Sequence, residues 1–182
     1  MRRKGAREKR DIRVVEKVAA YKWRLGPFMK IGKGNSMAGK KIEILFLCTG
    51  NSCRSQMAEG WTRHLKGDTI EVSSAGVEPK QIDRRAIEVM AEVCVDVSGQ
   101  WSKSIDDLGD ASFDYVITLC DHAKESCPFF PAGTRVIHRG FDDPPGIAAD
   151  AKNSEEQLAP YRRVRDEIKA FVEKFPEAFD TY

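Results

Sequence analysis

The chain has 182 residues, which is enough for one domain with a substantial core, and 41% hydrophobic with 32% charged residues is ordinary for a soluble globular protein. No apolar run approaches the roughly 20 residues that a membrane-spanning helix requires. The five cysteines do not resemble a secreted disulfide framework, so we expect a protein of the reducing cytoplasm.

The net charge of +2 conceals an asymmetry along the chain. Residues 1–40 contain 13 Lys/Arg and 3 Asp/Glu, whereas residues 41–182 contain 17 Lys/Arg and 25 Asp/Glu. A basic arm can indicate contact with nucleic acid or a membrane. Because Met37 lies just before the first predicted strand, we instead interpret residues 1–40 as a flexible or non-native extension. Residues 41–182 are then the folded domain, for which we expect no nucleic-acid or membrane partner.

The first predicted strand is a nearly continuous apolar run. It comprises Ile42, Ile44, Leu45, Phe46 and Leu47. Such a run is typical of a strand that is covered on both faces of a parallel sheet. A turn-prone stretch follows, and from Arg54 onward Met57, Trp61 and Leu65 recur at helical spacing. A strand, a tight loop and a helix N-terminus form a geometry in which backbone N–H groups converge on an anion.

Cys48 and Arg54 stand at the two ends of this loop. Converging N–H groups favour a thiolate, and a guanidinium matches two oxygens of a tetrahedral oxyanion. A buried inert cysteine and a surface ion pair are the alternative interpretation. The ordered combination of all these features favours a nucleophilic Cys48 in an oxyanion-binding loop. That loop consists of Thr49, Gly50, Asn51, Ser52, Cys53 and Ser55.

The rest of the chain alternates between strands and helices. Further strands are predicted in residues 68–76, 113–120 and 134–141, and helices in residues 82–93 and from about residue 154. This order predicts a single-domain α/β protein with a four-stranded parallel sheet flanked by helices. Sites in such sheets lie at the carboxyl ends of strands, where Cys48, Cys120 and Asp143 fall.

Five segments carry a resemblance to a known family. The C-x5-R-S pattern lies within CTGNSCRSQMAEGW, and the others are SSAGVEP, VITLCDHAKESCP, GFDDPPG and YRRVRDEI. From about Lys41 through the closing helix, the chain resembles the thioredoxin-coupled arsenate reductases, which share the fold of low-molecular-weight protein tyrosine phosphatases. The resemblance implies a monomeric enzyme of arsenic detoxification that uses no cofactor. Its substrate is arsenate and its electron donor is thioredoxin.

The resemblance also implies a relay of three thiols. Cys48 attacks arsenic while Arg54 and the loop hold the oxygens, and Asp143 protonates the departing oxygen. Cys120 then attacks the sulfur of the Cys48 adduct, which releases arsenite and leaves a Cys48–Cys120 disulfide. Cys127 attacks Cys120 next, and thioredoxin reduces the resulting Cys120–Cys127 disulfide.

Several alternatives remain open at this point. Asp142 is the second candidate for the acid, and Cys120 and Cys127 could be unrelated thiols. Seven residues of regular helix span about 10.5 Å, whereas a disulfide needs Cα atoms about 4.4–6.8 Å apart. If Cys120 and Cys127 form a disulfide, the segment between them must therefore refold.

Related phosphatases carry aromatic residues after the acid and its proline, but this chain has Pro145-Gly146-Ile147, which favours a small inorganic substrate. A tyrosine phosphatase and a non-catalytic thiol redox sensor are the competing functions.

The remaining cysteines, the histidines and two of the loop residues are expected to have structural roles and no catalytic ones. Cys53 and Cys94 are expected to be packed thiols, and no histidine has the spacing of a metal site. Asn51 and Ser55 are expected to support the loop. Some reductases of this family bind potassium, and Asn51, Glu59 and Ser74 match three of its ligands. Lys103 stands where an acidic ligand is expected, and its ammonium would compete with a cation, so we predict no metal.

Overall fold

The computed structural model describes residues 40–181, so the predicted N-terminal extension lies outside the described residues except for Lys40. Its four strands are β1 (Ile42–Cys48), β2 (Ile70–Gly76), β3 (Tyr115–Thr118) and β4 (Arg135–His138). They form one parallel sheet in the order β2-β1-β3-β4. The predicted four-stranded parallel sheet flanked by helices is confirmed.

Across residues 40–181, five helices connect and flank the strands. They are α1 (Arg54–Lys66), α2 (Arg84–Glu92), α3 (Asp121–Glu125), α4 (Pro144–Ile147) and α5 (Ser154–Val172). Three short 3₁₀ turns complete the regular structure of the described range, at Asp106–Leu108, Ala148–Asp150 and Glu177–Thr181. Within residues 40–181, no helix combines the length and the apolar character that crossing a membrane requires.

Strand β1 lies at the centre of the core. Its residues 44–47 are fully buried, as the apolar run predicts, because β2 and β3 pair with its two edges and both faces are covered. Leu47 is opposite Ala75 on one side and Thr118 on the other. The pairing of β1 with β3 continues one residue past the end of β3, where the N–H of Leu119 donates to the carbonyl of Leu47 at 2.8 Å. The chain segments that follow β1 and β3 therefore start side by side.

Side-chain caps fix where three of the helices begin. The carboxylate of Asp83 accepts from the N–H of Arg85 at 2.9 Å, so α2 starts at residue 84, two residues later than predicted. Asp143 caps α4 in the same way, through the N–H of Gly146 at 3.0 Å, and Pro144 occupies the first helical position. Asn153 caps α5, which begins at Ser154 as predicted.

The expectation of a buried Cys94 is wrong. Cys94 follows the end of α2 and is exposed. Its φ of +62° lies in the left-handed region, in which the chain turns away from the helix axis and carries the side chain outward. A cysteine in a helix-terminating turn therefore escapes the burial that its residue type favours.

Candidate active site

The loop between β1 and α1 has its carbonyl groups turned outward. Five of them accept backbone N–H groups: Cys48 from Val77 at 3.2 Å, Thr49 from Glu78 at 2.8 Å, Gly50 from Lys80 at 2.8 Å, Ser52 from Asp83 at 2.9 Å and Cys53 from Met57 at 2.9 Å. The carbonyl of Asn51 accepts from the Gln56 side chain at 2.9 Å. Because the N–H and C=O of a peptide point in opposite directions, these bonds turn the loop N–H groups toward its concave side.

Cys48 lies at the base of this concave side. Its side chain is 3% exposed, and Sγ accepts from the N–H of Asn51 at 3.2 Å. The hydroxyl of Ser55 lies 2.9 Å from the same sulfur. The Asn51 side chain donates to that hydroxyl at 2.9 Å, which leaves the Ser55 hydrogen available for the sulfur. Two donors therefore converge on Cys48, as a thiolate requires.

Asn51 holds the loop in shape from within. Its φ is +44°, a left-handed conformation that Asn tolerates better than other side-chain-bearing residues. Its fully buried amide donates to Ser74 at 2.8 Å and accepts from Gln56 at 3.0 Å and from the N–H of Lys103 at 2.9 Å. The expected supporting role of Asn51 agrees with these contacts, whereas the contribution of Gln56 was not foreseen.

Gly76 lets β2 end directly against the loop. A Cβ at this position would lie 2.8 Å from the backbone nitrogen of Asn51 and 2.9 Å from the carbonyl oxygen of Thr49. Both of these atoms belong to backbone and cannot rotate away. Any side chain at Gly76 would therefore push the loop out of shape.

Arg54 and Asp143 form an ion pair beside the loop. Arg54 Nη2 lies 2.8 Å from Asp143 Oδ1, and Arg54 Nη1 donates to the carbonyl of Phe141 at 3.0 Å. Asp142 instead pairs with Arg163 on α5 at 2.8 Å. Of the two candidate acids, Asp143 is thus the one that contacts the loop arginine.

The sulfur of Cys120 reaches the same loop from the neighbouring strand. Cys120 is buried at the N-terminus of α3, and its Sγ lies 3.3 Å from the hydroxyl of Thr49, the residue next to Cys48. Cys127 lies beyond the other end of α3 and is partly buried, which raises the pKa of its thiol. The structure therefore brings Cys120 to the loop and keeps Cys127 at the far end of a short helix.

Cys53 is a buried thiol within the loop. Burial raises its pKa well above the ordinary range, and the nearby Asp83 carboxylate raises it further. A thiol in this state is a poor nucleophile at neutral pH. These surroundings agree with the packing role expected for Cys53.

A buried ion pair lies behind the loop. Lys103 Nζ is 3.5 Å from Glu59 Oε2, and the hydroxyl of Ser74 donates to the same oxygen at 2.5 Å. Arg63 contacts the other Glu59 oxygen at 2.6 Å. A potassium ion does not fit these residues, because an ammonium already lies against the carboxylate. Among residues 40–181, no three His, Cys, Asp or Glu side chains are grouped in a way that could hold a metal ion.

Comparison with known proteins identifies the family. The chain is 46% identical over 138 residues to an arsenate reductase of Halalkalibacterium halodurans, covering 76% of this chain and 96% of that protein. A solved arsenate reductase in its reduced state superposes with a TM-score of 0.57 at 32% identity and covers 76% of this chain and 98% of its own. A thioredoxin-dependent arsenate reductase of Corynebacterium glutamicum gives a TM-score of 0.58 at 26% identity, over 79% of this chain and 64% of its own. The sequence profile of low molecular weight phosphotyrosine protein phosphatases matches residues 43–181, and the chain belongs to that family.

Proposed function

We propose that this protein reduces arsenate to arsenite with Cys48, Cys120 and Cys127, and that thioredoxin regenerates it. The observation that carries the proposal is the contact between Cys120 Sγ and Thr49 at 3.3 Å, which brings a thiol from outside the anion loop to the residue next to Cys48. The relatives support the same reaction, since the protein of Halalkalibacterium halodurans that is 46% identical to this chain is an arsenate reductase. Because the reaction needs reduced thiols, we assign the protein to the cytoplasm.

The first step forms a bond between sulfur and arsenic. The Cys48 thiolate attacks arsenate in the loop and displaces one oxygen, which leaves as water after protonation. Asp143 supplies a proton to this leaving group, as a positioned general acid. Arg54 and the loop N–H groups bind the remaining oxygens, and such preorganised donors stabilise the developing charge.

The second step transfers the two electrons. Cys120 attacks the sulfur of the Cys48 adduct, and the electron pair of the S–As bond moves to arsenic. Arsenic(V) becomes arsenic(III) and leaves as arsenite, while the two thiols become one disulfide. Adjacent strands suit this step: Leu47 pairs with Thr118 in the sheet, and Cys48 and Cys120 follow these two residues by one and two positions.

The third step requires α3 to open. Cys127 attacks Cys120, which frees Cys48 and leaves a Cys120–Cys127 disulfide for thioredoxin. The five residues of α3 and Ser126 separate the two cysteines, and a disulfide needs their Cα atoms about 4.4–6.8 Å apart. A helix this short is marginal by itself. We therefore assign α3 as the segment that unwinds when the pair oxidises.

A protein tyrosine phosphatase is the second candidate. The family match and the Cys48, Arg54 and Asp143 arrangement favour it, since phosphate-ester hydrolysis needs only these groups. It makes no use of Cys120 or Cys127. A thiol redox sensor, conversely, would need only those two.

The deciding experiment compares single Cys→Ser variants in two assays. With thioredoxin, its reductase and NADPH, we expect Cys48→Ser, Cys120→Ser and Cys127→Ser each to abolish multiple-turnover arsenate reduction. With an aryl phosphate, only Cys48→Ser should lose activity, because a serine hydroxyl without a neighbouring base is a weak nucleophile. Cys94→Ser, which alters an exposed thiol, is the matched control and should keep both activities.

Three outcomes would contradict the proposal. Normal arsenate turnover by Cys120→Ser or Cys127→Ser would eliminate the relay as assigned. Aryl phosphate hydrolysis by the wild type without any arsenate-dependent NADPH oxidation would leave the phosphatase as the function. NADPH oxidation that does not depend on arsenate would favour the redox sensor.

A further inference from the structure

A buried ammonium lies behind the anion loop. Lys103 is 8% exposed, and its Nζ is 3.5 Å from Glu59 Oε2 and 3.5 Å from the carbonyl oxygen of Trp101. The same ammonium lies 4.9 Å from the centre of the Trp101 ring. A lysine is almost never buried unless it is paired. The contacts of Lys103 with a carboxylate, a carbonyl and an aromatic face are those that a small cation would make.

A chain of hydrogen bonds runs from Glu59 to the Cys48 sulfur. The single hydrogen of Ser74 goes to Glu59 Oε2 at 2.5 Å, so the Ser74 oxygen is left to accept from the Asn51 amide at 2.8 Å. The same amide also donates to Ser55 at 2.9 Å, and the Ser55 hydroxyl lies 2.9 Å from Cys48 Sγ. The Asn51 amide donates in both directions, to Ser74 and to Ser55, and this fixes where each hydroxyl hydrogen points. The chain therefore ends on two acceptors, the Glu59 carboxylate and the Cys48 sulfur.

Two cations balance this carboxylate from different sides. Arg63 approaches Oε1 from a half-exposed position on α1, whereas Lys103 approaches Oε2, the oxygen that Ser74 uses. The main chain of Lys103 is also tied to the loop, since its N–H donates to Asn51 Oδ1 at 2.9 Å. Lys103 is thus linked to the hydrogen-bond chain at both its ammonium and its backbone.

We propose that Lys103 is a built-in cation that takes the place of a potassium ion and positions the Cys48 loop. The resemblance implies a potassium site formed by Asn51, Glu59 and Ser74. In this chain the ammonium of Lys103 occupies the position next to the carboxylate and excludes a second cation by like-charge repulsion. Lys103 is a positioning residue, because it acts on Cys48 through Glu59, Ser74 and Asn51. The role adds to the proposed function, but thiol reactivity tests it without arsenate.

The test compares the purified full chain in potassium chloride and in tetramethylammonium chloride at equal ionic strength. The readouts are the thermal midpoint, the rate at which iodoacetamide alkylates Cys48, followed by mass spectrometry of its peptide, and aryl phosphate turnover. The wild type should give the same values in both salts. Lys103→Gln should alkylate Cys48 about tenfold more slowly in tetramethylammonium. Potassium should restore that rate along a saturable curve.

Two further variants make the test specific. Lys103→Arg keeps the positive charge and should stay indifferent to potassium. Lys41→Gln removes a lysine from an exposed pair with Glu71 at 3.7 Å, so it should show neither the loss nor the recovery. This control matches the charge change and differs in burial and in distance from the loop.

The proposal has clear ways to fail. A wild type that is stabilised or accelerated by potassium would overturn it, and so would a Lys103→Gln variant that matches the wild type in tetramethylammonium. A folded Lys103→Gln variant whose loss is not restored by potassium would overturn it too. Should that variant not fold, the wild-type comparison decides. Alkylation and midpoints keep their meaning even if arsenate reduction is not the activity.

Discussion

Replacing Asn51 should greatly lower the free energy of unfolding of the protein, because this residue holds the loop in shape. The Asn51→Ala variant loses four side-chain hydrogen bonds, which join the amide to Ser55, Ser74, Gln56 and the N–H of Lys103. Each such bond contributes about 1 kcal/mol net. Alanine at the φ of +44° adds about 1–2 kcal/mol of left-handed strain. We therefore expect the free energy of unfolding to fall by about 5–6 kcal/mol.

Asn51→Gly provides the matched comparison. It loses the same four hydrogen bonds, but glycine adopts the left-handed conformation without strain. The greater freedom of glycine in the unfolded chain offsets part of this advantage, so we expect Asn51→Gly to be about 1 kcal/mol more stable than Asn51→Ala. The difference between the two variants isolates the backbone conformation from the hydrogen bonds.

Urea unfolding followed by tryptophan fluorescence measures both differences, with linear extrapolation to water. A loss of about 5–6 kcal/mol is a large part of the roughly 5–15 kcal/mol that a domain possesses, so the Asn51→Ala midpoint should move far toward low urea. An Asn51→Ala variant within about 1 kcal/mol of the wild type would refute the hydrogen-bond reasoning. An Asn51→Gly variant less stable than Asn51→Ala would refute the conformational part.

Three other predictions concern the acid, the arginine and the buried loop thiol. Asp143→Asn should lower the rate of the first chemical step by about 10²–10⁴, and Asp142→Asn should have a much smaller effect; the opposite ranking would move the acid to Asp142. Arg54→Lys should raise KM for the oxyanion about tenfold or more, since an ammonium lacks the planar fork, and an unchanged KM would contradict bidentate binding. The raised pKa of Cys53 means that the unfolded chain loses this proton first, above about pH 8.5. The free energy of unfolding should then fall by up to about 1.4 kcal/mol for each pH unit above this point. In urea titrations at pH 7–10, the free energy of unfolding of Cys53→Ala should fall less steeply with pH than that of the wild type. Equal slopes would contradict the raised pKa of Cys53.

The features predicted correctly from the sequence are those encoded by neighbouring residues. The apolar run of β1 marks a buried central strand, and the turn-prone residues after Cys48 mark the loop. The start of α1 at Arg54 also follows from local spacing. In each case the residues that determine where a strand ends or a helix begins lie within a few positions of one another in the sequence. The local sequence pattern is therefore sufficient to predict these elements.

The long-range contacts that support the site could not be found in this way. Gln56 and Trp101 are 45 positions apart and meet only because the loop before β3 returns to the N-terminus of α1. The buried pair of Glu59 and Lys103 has the same origin, with 44 positions between its members. No periodicity marks such contacts, because tertiary packing creates them. The cap at Asp83 is different, since an aspartate before Arg84 is a local signal that indicates the start of α2.

The outward carbonyls of the loop have a consequence for competition between anions. A ring of backbone N–H groups responds to charge and tetrahedral shape, and it has no contact with the central atom of the anion. Phosphate should therefore occupy the loop about as well as arsenate and inhibit competitively. Thiols reduce arsenic(V) but not phosphorus(V), so the choice between the two anions falls after binding, at electron transfer. In a phosphate-rich cell, the rate of arsenate reduction would then depend on the ratio of the arsenate and phosphate concentrations and not on the affinity of the loop for either anion.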